Sequence, residues 1–375
     1  MTHLKRRILT AVACLCLSTS AYAEYPDGVP SYYPKDYHLI VDGSKKEGKV
    51  SIYSNIHVES WPAYIAEFKK LYPWIDVQYV ELGAGDPIQR YLSEKGTGST
   101  TADMIITSSP DGWANLIKRG EIQSYASPEA SYFPDWSKPV SGLYAITTDP
   151  SIIFWNKTLL PENMVPSGYE DLKQKVLANP SIFNGKISTF AYQLTSTGYS
   201  TGWAFTQHVG EKTAFDFYDV VGPLSRVQQS VGNIFEKVVS GEYSLAYLAS
   251  PNALWHALGT DPNMKDILGW KFASEGTTVI PRSLAIMSVA KNVNSAKLMA
   301  DFFLSRSGQV TLGQQELTPI RSDVKPSDVD GFYTFSKLIE DVGGSKNLIV
   351  VPYDQKLIDD YASFIGRWKK AYKIQ

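Results

Sequence analysis

The sequence predicts an α/β protein built from two doubly wound lobes, with a ligand cleft between them. Short apolar runs with strand character alternate with amphipathic stretches, as expected when helices cover both faces of a largely parallel sheet. The alternation runs along the chain twice, and no low-complexity linker separates the two series. The length of 375 residues, 43% hydrophobic and 20% charged, also suits two domains.

Hydrophobic periodicity and helix-ending residues such as Gly120 assign the elements of the first series. Strands are predicted at 49–54, 76–82 and 104–106, and helices at 61–72, 88–95 and from about residue 110 to Gly120. A stretch rich in Pro, Gly and Tyr, residues 24–37, begins an N-terminal extension of residues 24–43 that is either ordered or a loose arm.

The second series follows the same rules. Strands are predicted at 151–156, 186–190, 243–248 and 284–288, and helices at 169–178, 202–209, 231–240, 296–304 and 333–339. Together the two series predict two similar layered lobes.

The N-terminus carries the features of a secretory signal peptide. Lys5, Arg6 and Arg7 precede an apolar run at 8–17, and an A-x-A site ends at Ala23. This pattern predicts removal of residues 1–23 and export to the periplasm. Because Cys14 and the second cysteine, at position 16, lie in the removed segment, the mature chain is expected to lack disulfides and cysteine metal sites. Acylation of Cys14 is the alternative, although it would shorten the apolar run to 8–13.

Charge and motif content exclude several function classes. A formal net charge of −2 without a basic patch argues against nucleic-acid binding. No later stretch reaches the roughly 18 apolar residues of a membrane span. A G-x-S-x-G nucleophile turn and an H-E-x-x-H zinc motif are both absent from the sequence, so we expect no catalytic residues, cofactor or metal, and no enzyme activity.

Small polar residues follow three predicted strands, where open α/β sheets bind ligands. They are Ser54 and Asn55, Ser108 and Ser109, and Thr195, Ser196 and Thr197. Free backbone N–H groups and the helix dipole favour an anion at such positions. Helix capping by these side chains is the alternative.

Five blocks of sequence resemble periplasmic solute-binding proteins of the ferric-ion-binding type, which have the type II periplasmic binding protein fold. The blocks begin KVSIYSNIHVES, TTADMIITSSPDGW, GLYAITTDPSIIFWN, GNIFEKVVSGEYSLAYLASPN and SEGTTVIPRSLAIM, and they occur in the family order between residues 44 and 325. The resemblance implies a monomer that closes on a small solute and delivers it to an inner-membrane ABC permease. It also implies a first lobe of 44–145 plus 281–375, a second lobe of 146–280, and hinges near 145–149 and 279–282.

Departures from the iron-binding pattern favour a different ligand. His57 stands where that family has a histidine, but Ser108 or Ser109 replaces its glutamate, and 246–252 offers Pro and Asn instead of paired tyrosines. Without these hard oxygen ligands, ferric-ion binding becomes the alternative. The expected ligand is an organophosphate, phosphonate or carboxylate, with His57 either donating to the anion or capping a helix.

Further residues are expected at the cleft. Arg282 could clamp a carboxylate or phosphate, with a surface salt bridge as the alternative. Trp155, Tyr199 and Tyr247 are expected to line the walls. Presentation of a ligand to a sensor kinase and an exported hydrolase are the remaining alternatives.

Overall fold

The computed structural model describes residues 29–99 and 101–375, so the predicted signal peptide lies outside it. Within those ranges the strands are β1 (Lys49–Ser54), β2 (Asp76–Glu81), β3 (Met104–Thr107), β4 (Leu143–Pro150), β5 (Ile152–Asn156), β6 (Ile187–Phe190), β7 (Ser225–Gln228), β8 (Leu245–Ala249), β9 (Leu268–Lys271), β10 (Thr277–Ile286), β11 (Thr318–Pro319) and β12 (Leu348–Val350). Each predicted strand is present, and β10 begins seven residues before its predicted start at 284.

The helices connect these strands and cover the sheets. They are α1 (His38–Glu47), α2 (Trp61–Leu71), α3 (Asp86–Gly96), α4 (Pro110–Arg119), α5 (Tyr169–Ala178), α6 (Pro180–Phe183), α7 (Ser196–Val209), α8 (Glu211–Val221), α9 (Val231–Val239), α10 (Asn252–Thr260), α11 (Met264–Ile267), α12 (Val293–Leu304), α13 (Arg306–Gln314), α14 (Phe335–Asp341), α15 (Gln355–Asp359) and α16 (Tyr361–Ala371). Short 3-10 turns occupy Lys35–Tyr37, Val58–Ser60, Ala130–Tyr132, Asp135–Ser137, Glu162–Met164, Gly222–Leu224, Pro326–Asp328 and Ser345–Asn347. None of the helices in the described ranges has the length and hydropathy needed to cross a bilayer.

The first sheet has seven strands in the order β11-β4-β10-β3-β1-β2, with β12 paired to β10. Strands β1, β2 and β3 are parallel, whereas β10 runs antiparallel to β3 and β4. The second sheet has five strands in the order β7-β6-β8-β5-β9, and here β5 is the antiparallel strand. The predicted two α/β lobes are confirmed, but each sheet is mixed rather than largely parallel.

Apolar side chains cover both faces of the first sheet, which makes it doubly wound. Trp61 and Phe68 of α2 pack on one face, together with α12. Tyr91 of α3 and Trp113 of α4 pack on the other. Helices on both faces leave the strand ends as the exposed polar edge of the layer.

The chain crosses between the sheets twice, at Ser151 and between β9 and β10. The predicted boundaries at 145/146 and 280/281 therefore fall inside β4 and β10, because both strands continue as paired elements of the first sheet. The C-terminus also differs from the prediction that 281–375 belongs to the first lobe. Trp368 of α16 is buried in the core of the second lobe and stacks on Tyr192, with ring centroids 4.7 Å apart. Residues of α16 thus complete the second lobe.

The N-terminal extension is fastened to the first lobe by tyrosine hydroxyls. Tyr33 donates to Glu129 Oε1 at 2.6 Å, and Tyr37 donates to Asp301 Oδ2 at 2.6 Å. Glu129 is also paired with Arg321, and these three charged side chains are all buried. Residues 29–47 therefore form part of the lobe rather than a loose arm.

Candidate ligand-binding site

The carboxyl ends of β1 and β3 meet at one edge of the first sheet, as their sequence predicts. In the parallel register Ser54 lies beside Ile106, and the Asn55 N–H donates to the Ile106 carbonyl at 3.1 Å. The Asn55 side chain then reaches Ser108, with Nδ2 donating to Oγ at 2.7 Å. The Ser54 hydroxyl is buried and accepts from the Ile56 N–H at 2.9 Å, so it orders the turn after β1.

Ser109 occupies the N-cap position of α4, but its hydroxyl does not cap the helix. Pro110 starts the helix with a fixed φ, and Gly120 ends it in the left-handed conformation with φ 66°. The Ser109 hydroxyl instead donates to Asp111 Oδ1 at 2.9 Å and lies 2.9 Å from the Ser196 hydroxyl of the second lobe. The capping alternative therefore does not account for this serine.

In the second lobe, helix α7 supplies the opposite wall. Thr195 caps it, since Oγ1 accepts from the Gly198 N–H at 3.2 Å, so the capping alternative holds for this residue. Capping by Thr195 leaves Ser196 available, and its hydroxyl donates to Asp111 across the lobes. Thr197 is partly exposed in the same first turn. We call Ser109, Asp111 and Ser196 the interlobe seam.

Arg282 lies where the chain crosses between the lobes and forms a buried ion pair. Its Nη2 donates to Asp149 Oδ2 at 3.0 Å, and the two side chains are only 7% and 8% exposed. Asn252, at the start of α10 in the second lobe, donates to the other Asp149 oxygen at 3.2 Å. The surface-salt-bridge alternative is therefore wrong, and Arg282 is buried with Nε as a donor that has no partner among the described residues.

Tyr64 of α2 is a candidate site residue that the sequence pattern did not indicate. Its hydroxyl is buried and lacks a hydrogen-bond partner among the described residues. Burial raises the pKa of Tyr64, and the nearby positive charge of Arg282 opposes that rise. Asn55 Oδ1 is likewise buried without a partner in the described part of the chain. Such atoms require an explanation, and a bound polar ligand is one.

Two of the predicted wall residues, both tyrosines, make structural hydrogen bonds inside the protein instead. The Tyr247 hydroxyl is buried between Ser225, at 2.9 Å, and Tyr372, at 2.7 Å, inside the second core. Tyr199 donates to the Leu357 carbonyl and so fixes α15 on α7.

Trp155 lies at the wrong edge of its sheet to line the cleft. It pairs with Leu245, the first residue of β8, whereas the ligand edge is at the end of that strand. Its side chain lines a separate cavity of about 610 Å³ on the second lobe, beside Lys157 and Lys271. The antiparallel direction of β5, which the sequence pattern does not reveal, causes this error.

His57 is strongly exposed, with 83% of its side chain accessible, and it does not cap a helix. Its Nδ1 lies 3.1 Å from Glu81 Oε1, and Glu59 is close enough that the potential ligand atoms of all three lie within 4.8 Å of one another. All three side chains are exposed and belong to the first lobe. Exposed acidic groups often gather in this way without a metal, so we assign no metal site here.

Two α/β lobes that meet at a polar seam beside their strand ends define a two-lobed ligand-binding protein. The model of the family described as bacterial extracellular solute-binding protein matches residues 54–310, and the chain belongs to that family. Its fold confirms the predicted type II periplasmic binding architecture of ABC importers.

Solved structures share this fold at low sequence identity. An ABC-transporter substrate-binding protein from Agrobacterium tumefaciens is 20% identical, with a TM-score of 0.76 over 86% of this chain and 94% of the other. AfuA from Actinobacillus pleuropneumoniae, with fructose-6-phosphate bound, is 20% identical, with a TM-score of 0.70 over 88% and 100%. Iron-bound HitA from Pseudomonas aeruginosa is 16% identical, with a TM-score of 0.68 over 86% and 99%. No curated protein sequence matches this chain significantly.

Proposed function

We propose that this chain is the periplasmic substrate-binding component of an ABC importer and that it captures a small anionic solute between its lobes. Cleavage of residues 1–23 releases the protein, which closes on an organophosphate, phosphonate or carboxylate and presents it to an inner-membrane permease. Closure follows because only the closed state lets both lobes contact the ligand.

One observation carries the proposal: hydroxyl groups of both lobes converge at the interlobe seam. Ser109 ends the connection after β3 and Ser196 begins α7, yet their oxygens are 2.9 Å apart. Two helix N-termini are thus brought together, and each favours negative charge. Arg282, buried where the chain crosses between the lobes, has an unpartnered N–H, a donor of the kind that an anion requires.

Calorimetric titration tests the role of these hydroxyls. A hydrogen bond to a charged group is worth about 1.5–3 kcal/mol, so Ser109→Ala and Ser196→Ala should each weaken anion binding roughly ten- to a hundred-fold. Thr195→Ala is the matched control, because it removes the α7 cap instead. That variant should lose about 1 kcal/mol of unfolding free energy and little affinity.

The panel should contain phosphate esters, phosphonates and carboxylates, chosen after native mass spectrometry of the purified protein. Ferric citrate belongs in it because ferric-ion binding is the second candidate, favoured by the position of His57 in the sequence. Small-angle scattering should show compaction with the true ligand. Binding of ferric ion alone, with equal affinity for the parent and both serine variants, would contradict the anion proposal.

A further inference from the structure

The interlobe seam contains a carboxylate of the protein itself, the side chain of Asp111. Asp111 Oδ1 accepts from Ser109 at 2.9 Å and also from Ser196 of the opposite lobe. We propose that Asp111 determines ligand specificity by admitting anions that also carry a hydrogen-bond donor and disfavouring anions that only accept. This inference rests on the proposed function and narrows its ligand class.

The argument begins with a count of protons at the seam. The three oxygens, Ser109 Oγ, Ser196 Oγ and Asp111 Oδ1, make three mutual contacts. Each hydroxyl has one proton to donate, and an ionised carboxylate has none. At most two of the three contacts can therefore be hydrogen bonds at one time, and no hydroxyl proton is left for a ligand.

A ligand that can only accept hydrogen bonds must draw the hydroxyl of Ser109 or Ser196 away from its present acceptor. Asp111 then loses a donor while a second negative charge arrives beside it. Within the described ranges, the hydrogen-bond partners of Asp111 are the Ser109 and Ser196 hydroxyls, and no lysine or arginine forms an ion pair with it. Leaving a partly buried charged acceptor unsatisfied is costly, and protein sites discriminate strongly on this basis.

A ligand with a donor avoids this cost. Its own hydroxyl, ammonium or acidic P–O–H group donates to Asp111, and the Ser109 and Ser196 hydroxyls can turn toward its anionic oxygens. The favoured solutes are therefore hydroxylated acids, sugar phosphates, amino-acid-like zwitterions and monoprotonated phosphates or phosphonates. Sulfate esters without a hydroxyl or ammonium group and simple dicarboxylates are disfavoured.

A purely structural role for Asp111 predicts a different outcome. Asp111 lies in the first turn of α4, where a carboxylate stabilises the helix dipole. If that were its whole contribution, Asp111→Asn would lower thermal stability slightly and would change the affinities of all anions alike. Measuring the ratio of affinities for matched ligands separates the two roles.

The test uses two pairs of probes that differ in one donor: methyl phosphate with methyl sulfate, and malate with succinate. Titrations of the first pair near pH 6 keep a large share of the phosphate ester monoprotonated, since its second pKa is about 6. Titrations of the second pair near pH 8 keep both dicarboxylates fully ionised. We expect the wild type to prefer the donor-bearing member of the pair it binds by at least about ten-fold. In Asp111→Asn the side-chain amide can donate a hydrogen bond. The ratio of affinities should therefore fall below about three-fold, because the affinity for the acceptor-only member rises.

Asp171→Asn is the matched control, because it makes the same change in the first turn of α5. The ratio of affinities within each probe pair should be the same for Asp171→Asn as for the wild type. An unchanged ratio in Asp111→Asn, or a wild type that binds without preference, overturns the specificity role and leaves the proposed function standing. If neither protein binds any of the four probes, the anion function and the specificity role both fail.

Discussion

Asp301 is a buried carboxylate of α12 that accepts three hydroxyl hydrogen bonds. Tyr37 and Tyr125 each donate to Oδ2 at 2.6 Å, and Ser127 donates to Oδ1 at 2.6 Å. Burial raises the pKa of Asp301 to about 6, although the three hydroxyl donors oppose that rise. Replacing Asp301 by Asn keeps the shape of the side chain and removes its titration.

The raised pKa sets the sign and size of a pH effect on stability. The ordinary pKa of the carboxyl is 3.8, so between about pH 4 and pH 6 the folded chain binds more protons at this site than the unfolded chain. The free energy of unfolding should therefore fall as the pH rises through that window and become constant above it. A shift of about two units corresponds to a fall of about 3 kcal/mol.

Urea unfolding followed by tryptophan fluorescence measures this effect between pH 4 and pH 8. The wild-type free energy of unfolding minus that of Asp301→Asn should be larger at pH 4 than at pH 8 by up to about 3 kcal/mol. The difference isolates Asp301, because other groups titrate in both proteins.

Glu121→Gln provides a control of opposite sign. Burial raises the pKa of Glu121, but hydrogen bonds from Lys95, Tyr91 and Ser288 outweigh it and lower the pKa overall. Its stabilising contribution should be lost as the pH falls. A wild-type advantage over Asp301→Asn that grows with pH would refute the reasoning, because the hydroxyl donors would then outweigh burial at Asp301.

Three further predictions concern the crossing, the C-terminus and metal binding. Asp149→Ala leaves the buried Arg282 guanidinium unpaired and should lower the free energy of unfolding, measured by chemical denaturation, by about 3–5 kcal/mol. Adding Arg282→Met should recover part of that loss, and a loss under about 1 kcal/mol in the single variant would contradict the reasoning. Trp368→Ala should lower the free energy of unfolding by about 3–5 kcal/mol, because this fully buried indole packs α16 against the core of the second lobe. An unchanged thermal midpoint would show that α16 is dispensable for stability. Ferric citrate should not compact the protein in scattering, because the exposed cluster around His57 lies in one lobe; compaction that His57→Ala abolishes would reverse this.

Local sequence patterns predicted the elements well where one face is clearly apolar. Strand β1 and helix α5 have the predicted bounds, because alternation and helical periodicity leave one solution for each. Helix α7 begins six residues before its predicted start at 202, since Ser, Thr and Gly are poor helix formers. Tertiary packing overrides propensity there: a Cβ on Gly202 would lie 2.1 Å from Tyr192 Cε2, so only glycine permits this approach.

The sequence by itself determined the two-lobed α/β class and the positions of polar residues after the strands, because both depend on short-range periodicity and on strand ends. Only the tertiary structure decided which of those residues meet. Ser109 and Ser196 are 87 positions apart in the chain yet share Asp111, which the pattern gave no reason to select. Long-range contacts depend on strand direction and lobe placement, and these arise when the whole core packs.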